Sequence, residues 1–192
     1  MNDIVTTYKY AWRAVSEKVV VRYRSRGAPG QFFAHLGRTE PPTIKITRGG
    51  QRPGNERLDQ SHEPSEFFSD GRALTPEELL RELIILCHEF GHFTSFAEKT
   101  PKDDWTLYKQ ALDKMDAASA LFSDVEDQQR QVENDLTPEE RGRIFPEEEL
   151  AWRIGREFFE TLDGVGAGEL KTFDREKNNA LDTYRFLIAS AQ

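Results

Sequence analysis

The chain of 192 residues holds one cysteine, Cys87, so no disulfide can form within it, and a reducing compartment is expected. It has no surplus of basic residues: 26 Lys and Arg stand against 34 Asp and Glu, a formal net charge of −8. That balance argues against binding a phosphate backbone, and no nucleic-acid partner is expected. Long hydrophobic runs are missing too. The longest, Leu83 to Cys87, is far short of the roughly 20 residues of a bilayer span. Met1-Asn2-Asp3 lacks the basic start and apolar stretch of a secretory leader. The expectation is a cytoplasmic protein with no membrane association. Solenoid repeats and low-complexity tracts are also absent. Histidine is scarce, with only His35, His62, His88 and His92.

Hydrophobic residues make up 37% of the chain and include 13 Phe, enough to build a core and to exclude wholesale disorder. The length suits one domain over 1–192. Within it, 1–72 should carry an N-terminal helix, short strands and a long loop, and 73–192 should be helical.

The first helix is predicted over roughly Asp3 to Lys18, with Val5, Tyr8, Trp12 and Val15 on one face. Val19 to Arg24 reads as a strand or as the end of that helix, and Gly27 to Gly30 breaks it. Thr43 to Thr47 alternates like a half-buried strand, and Arg48 to Gly71 is turn-rich. Two identical pentapeptides, Leu74 to Glu78 and Leu136 to Glu140, carry the Thr, Pro and Glu of a helix start. Helices are predicted over Pro76 to Lys99, Asp104 to Val132, Pro146 to Gly164 and Arg175 to Ala189. Few strands followed by many helices indicate an α+β fold, mostly helical.

The chemistry is concentrated in His88-Glu89-Phe90-Gly91-His92, preceded by the apolar Leu83 to Cys87. His88 and His92 are i and i+4, so both imidazoles reach one cation from one helix face. Glu89 lies about 100° around the helix and can take a proton beside the metal without ligating it. Two neutral imidazoles and an open coordination position suit Zn²⁺. Gly91 is small where a metal or a partner strand would crowd. A catalytic site needs a third ligand. No histidine follows between Phe93 and Thr106, so a carboxylate on another helix is expected. In the segment Phe145 to Phe159, a 100° rotation per residue puts Ala151, Ile154, Gly155, Phe158 and Leu162 in one inward stripe. Glu148 falls at the angle of that stripe, Glu147 at its border and Glu149 opposite. Glu148 therefore leads and Glu147 is second. A helix starting at Pro146 would also favour all three glutamates through its dipole, with no metal involved.

The pair His88 to His92 and Glu148 to Trp152 resembles the zinc peptidases called gluzincins, in which an HExxH helix is followed by a helix bearing a Glu ligand. The Ala151, Ile154 and Gly155 positions resemble the packing face of that helix in small ImmA/IrrE-like bacterial and phage members. One position departs from the pattern: several gluzincins carry Asp or Asn four residues after the Glu, where this chain has Trp152. The resemblance implies a zincin-like fold, metal ligands His88, His92 and Glu148, and one zinc per chain. It also implies an edge strand along the cleft that binds extended substrate by strand addition, for which Thr43 to Thr47 is the best match.

In that scheme a water is acidified toward neutrality, and Glu89 accepts its proton and passes it to the leaving amine. The function expected is a zinc metallopeptidase performing limited proteolysis of a protein or peptide substrate. The alternative is a zinc-binding structural or protein-interaction module with no turnover. Tyr108, His35, His62, Tyr184 and several arginines are all available as an oxyanion donor. Cys87 reads as a small buried residue, Phe32-Phe33 and Phe67-Phe68 as core or loop packing in loop-like regions ahead of a substrate-pocket lining, and Asp124 to Asp135 as a solvated helix face ahead of a lid or partner surface.

Overall fold

The N-terminal helix begins where Asp3 accepts a hydrogen bond from the Thr6 amide at 2.8 Å and so caps it. The computed structural model describes residues 3–24, 30–33, 41–47, 72–98 and 103–188. In chain order they form α1 (Ile4–Ser16), β1 (Val20–Arg24), β2 (Gly30–Phe33), β3 (Thr43–Thr47), α2 (Pro76–Glu98), α3 (Asp103–Leu121), α4 (Val125–Asp135), α5 (Pro138–Glu160) and α6 (Ala167–Ile188). The architecture is α+β and mostly helical. None of the described helices is long and apolar enough to cross a membrane.

Tyr8, Ala11, Trp12 and Val15 recur at helical spacing and are buried. Trp12 stacks on Tyr23 of β1 at 4.7 Å between ring centroids, so α1 covers one face of the sheet. Tyr8 links α1, β1 and α2 through its hydroxyl, which lies 2.6 Å from that of Tyr23 and donates to the buried Glu82. The sheet has the order β1-β3-β2. β1 and β3 are parallel, with Val21 opposite Ile44 and Tyr23 opposite Ile46. β2 runs antiparallel to β3, with Gly30 opposite Ile46.

Val19 to Arg24 thus resolves as a strand. Thr43 to Thr47 is a strand as expected, but it is the middle of the sheet rather than its edge. The edge beside α2 is β2, which contains Phe32 and Phe33; these are strand residues, not loop residues. Gly30 read as a breaker because glycine usually is one, yet here it opens a strand that pairs with β3.

The helical part is more divided than the sequence pattern suggested. The helix expected over Asp104 to Val132 is two, because Asp124 accepts hydrogen bonds from the Glu126 and Asp127 amides and caps a new helix. α5 begins at Thr137, whose hydroxyl and the Glu140 carboxylate form a capping box. It continues through Pro146, which sits inside it rather than starting it. The turn that follows α5 contains Gly164, whose φ of 91° favours glycine. α6 starts near Gly166, whose amide is held by Glu169 at 2.9 Å, well before Arg175.

α2 is the central element and packs most extensively on α5. A Cβ on Gly91 would lie 2.0 Å from the Ala151 carbonyl oxygen, and one on Gly155 would lie 2.6 Å from that of Cys87. The two helices therefore meet backbone to backbone, and Gly91 accommodates α5 rather than a metal or a strand. Around this crossing Leu83, Ile84, Leu86, Phe159 and Phe173 are fully buried. Each is worth about 1.5–3 kcal/mol of burial.

Candidate metal centre

The α2–α5 crossing sets the site. His88 lies three residues before Gly91, and Glu148 lies three before Ala151 and seven before Gly155. Closing the helices on those small residues brings the three side chains to one point. His88 Nε2 and His92 Nε2 are 3.2 Å apart. Glu148 Oε2 is 3.4 Å from His88 Nε2, and Oε1 is 3.7 Å from His92 Nε2. All three residues are buried, and they form a group able to hold a metal ion. Bonds of about 2.1 Å in a tetrahedral site put donors about 3.4 Å apart, so this spacing suits a small cation. Glu148 Oε2 is buried and accepts no hydrogen bond, a costly state for a carboxylate oxygen unless a cation compensates it.

The other expected residues sort cleanly. Glu89 is buried beside the cluster and lines its approach. Glu147 is buried but turned away, accepting from the Ser95 hydroxyl at 3.3 Å, so it is not part of the group. Glu149 is exposed. His35, His62, Phe67 and Phe68 lie outside the described residues. Cys87 is buried, as expected, and burial pushes its thiol well above the ordinary range.

Two aromatic residues support the site in roles the sequence does not assign them: Trp152 stands out there only as a departure from the gluzincin pattern, and Tyr108 only as one of several possible oxyanion donors. Trp152 stacks on the His88 imidazole, with centroids 4.1 Å apart and planes 21° from parallel. His88 Nδ1 is buried without a hydrogen-bond partner, so on that side the ring is held by stacking rather than by an acceptor. Trp152 follows Glu148 by four residues and shares its face, a signal that was present in the spacing. Tyr108, from α3, donates to Glu148 Oε1 at 2.5 Å and lies 3.4 Å from His92 Nε2, with its ring stacked on His92 at 5.6 Å. Nothing local selects Tyr108 from the other candidate donors, because α3 reaches the site only through tertiary packing.

Burial opposes the Glu148 charge, but the charge of His92, the contact with His88 and the Tyr108 hydroxyl outweigh it and hold the carboxyl down to about 2. Burial also opposes charging His88, yet the contact with Glu148 and the charges of Glu89 and Glu148 raise it above the ordinary imidazole value. Tyr108 and Tyr184 are both raised well above a free phenol, first by burial and then by the charge of Glu148. They therefore keep their protons as donors.

Two clefts meet at the cluster and share Gly30, His88, Glu89, Glu148 and Tyr184. The smaller, about 70 Å³, extends toward Trp105, Tyr108 and Leu112 of α3. The larger, about 410 Å³, extends over Ile84, Ile85, Trp152 and Ala180 toward α6. β2 presses on this junction: a Cβ on Gly30 would sit 2.8 Å from Glu89 Oε1. The group is thus approached from two sides. No protein-family model, curated protein or solved structure matches the chain.

Proposed function

We propose that the chain is a zinc-dependent metallopeptidase. The observation that carries this reading is the convergence of His88, His92 and Glu148 at the junction of two clefts, with Glu89 in the wall of both. A donor set of two imidazoles and one carboxylate, with space left for a further group, matches catalytic zinc better than harder or softer cations. Zinc held there would polarise a carbonyl and make a water acidic near neutrality. Glu89, in the wall of both clefts, would serve as the general base there and would return the proton to the leaving amine nitrogen. Trp152 and Tyr108 keep the ligand side chains from turning away. An extended peptide laid against β2 would present its backbone to Glu89, and the two clefts would take the side chains on either side of the scissile bond. Limited proteolysis of a protein substrate is the activity this reading favours, within a zincin-like fold.

The test pairs elemental analysis with a peptide-hydrolysis assay. The wild-type chain should carry one zinc and hydrolyse peptide. Glu89→Gln should keep the zinc and lose turnover by about 10²–10⁴-fold, the usual contribution of a general base. Retained turnover in Glu89→Gln removes the role of Glu89, and absence of zinc in the wild type removes the enzyme.

A further inference from the structure

We infer that Tyr108 is the positioning residue of the metal centre: its hydroxyl occupies Glu148 Oε1 and leaves Oε2 as the single oxygen offered to the cation. The inference rests on the metal-site reading above and specifies how the carboxylate is used.

A phenol has one proton to give. Of the two acceptors near it, Glu148 Oε1 is at 2.5 Å and His92 Nε2 at 3.4 Å, so the proton goes to the carboxylate. An O–H to carboxylate bond of that length belongs to the strong, charge-assisted class. The phenol is itself fixed, stacked on His92 and packed at 5.1 Å against Trp105. Its bond therefore sets the rotation of the carboxylate. The two oxygens then differ. Oε1 is taken, whereas Oε2 is buried without a hydrogen bond and stands 3.4 Å from His88 Nε2, about the tetrahedral donor spacing. Glu148 comes from a different helix than the histidines, so its side chain needs such a tether more than they do. Partners of this kind are worth about 10–100-fold in metal affinity.

The same distances raise one competing role, that of the phenol oxygen as a ligand in its own right, and the experiment separates the two. Wild type, Tyr108→Phe and Met115→Ala are compared by chelator competition for zinc and by the absorption of their copper(II) forms. Met115 is buried on α3, and its truncation loosens that helix without touching the hydroxyl. The expected result is a zinc Kd about 10–100-fold weaker in Tyr108→Phe, an unchanged Kd in Met115→Ala, and no phenolate-to-copper charge-transfer band in the wild type. An unchanged Kd in Tyr108→Phe overturns the inference, as does an equal loss in Met115→Ala, which would assign the effect to helix packing. A charge-transfer band present in wild type and lost in Tyr108→Phe overturns it by making Tyr108 a ligand. A wild-type chain that takes up neither metal overturns the metal centre as well.

Discussion

Glu147, Glu148 and Glu149 are neighbours of one type in one turn of α5, and the fold gives each a different surrounding. Glu147 meets Ser95, Glu148 meets two histidines and a tyrosine, and Glu149 faces solvent. This was legible as an angle: Glu148 shares the face of Ala151 and Gly155, which touch α2. The expected helix start is what left a competing explanation open. A helix beginning at Pro146 would have put all three glutamates where the dipole favours them anyway. Because α5 begins at Pro138, they lie beyond the first turn, and that explanation lapses. The expected consequence is that Glu148→Ala weakens zinc binding by more than the roughly 100-fold that an outer partner contributes. Glu149→Ala should leave it unchanged. Chelator competition on both variants measures this, and equal losses would mean that the carboxylate is wrongly assigned.

Between elements, the α2–α5 crossing combines architecture with chemistry. Its contacts are backbone on backbone, so a single methyl has nowhere to go. Gly91→Ala would place a carbon 2.0 Å from the Ala151 oxygen, and the helices must part to admit it. Overpacking of this kind costs about 1–3 kcal/mol, and the parting also draws Glu148 away from the histidines. Urea unfolding and zinc content should therefore fall together in Gly91→Ala. A stability loss with full zinc content would uncouple the crossing from the site. The sequence showed these helices because apolar periodicity and capping residues are local. It misplaced the α3–α4 break, the start of α6 and the edge strand, because these depend on Asp124 as a cap, on Glu169 holding the Gly166 amide, and on a glycine accepted into a strand by pairing with β3.

Across the whole molecule, the site draws on α2, α3, α5 and α6, with β2 closing one side. Only the histidine pair and Glu89 come from one local stretch. Glu148 could be ranked from its helix face, while Tyr108 could not be selected, because what brings α3 to Glu148 is the shared core rather than any pattern within α3. A cation bound to α2 and α5 at once ties distant parts of the chain together only when they are folded, so binding adds to stability. With zinc at 100 times its Kd, the gain should be about 2.7 kcal/mol. A chelator should lower the unfolding temperature of the wild type accordingly and leave that of Glu148→Ala little changed. Coincident melting curves for the wild type with and without chelator would argue against an ion held between the helices.

The contact between Gly91 and Ala151 and that between Gly155 and Cys87 involve main-chain atoms, which have no rotamers to adjust. The gap between the two helices is therefore set by van der Waals contact of main-chain atoms, and the helices cannot draw much closer together. The crossing thus fixes the points from which the three side chains reach, and any ion held among them must be met by turning His88, His92 and Glu148 rather than by sliding the helices.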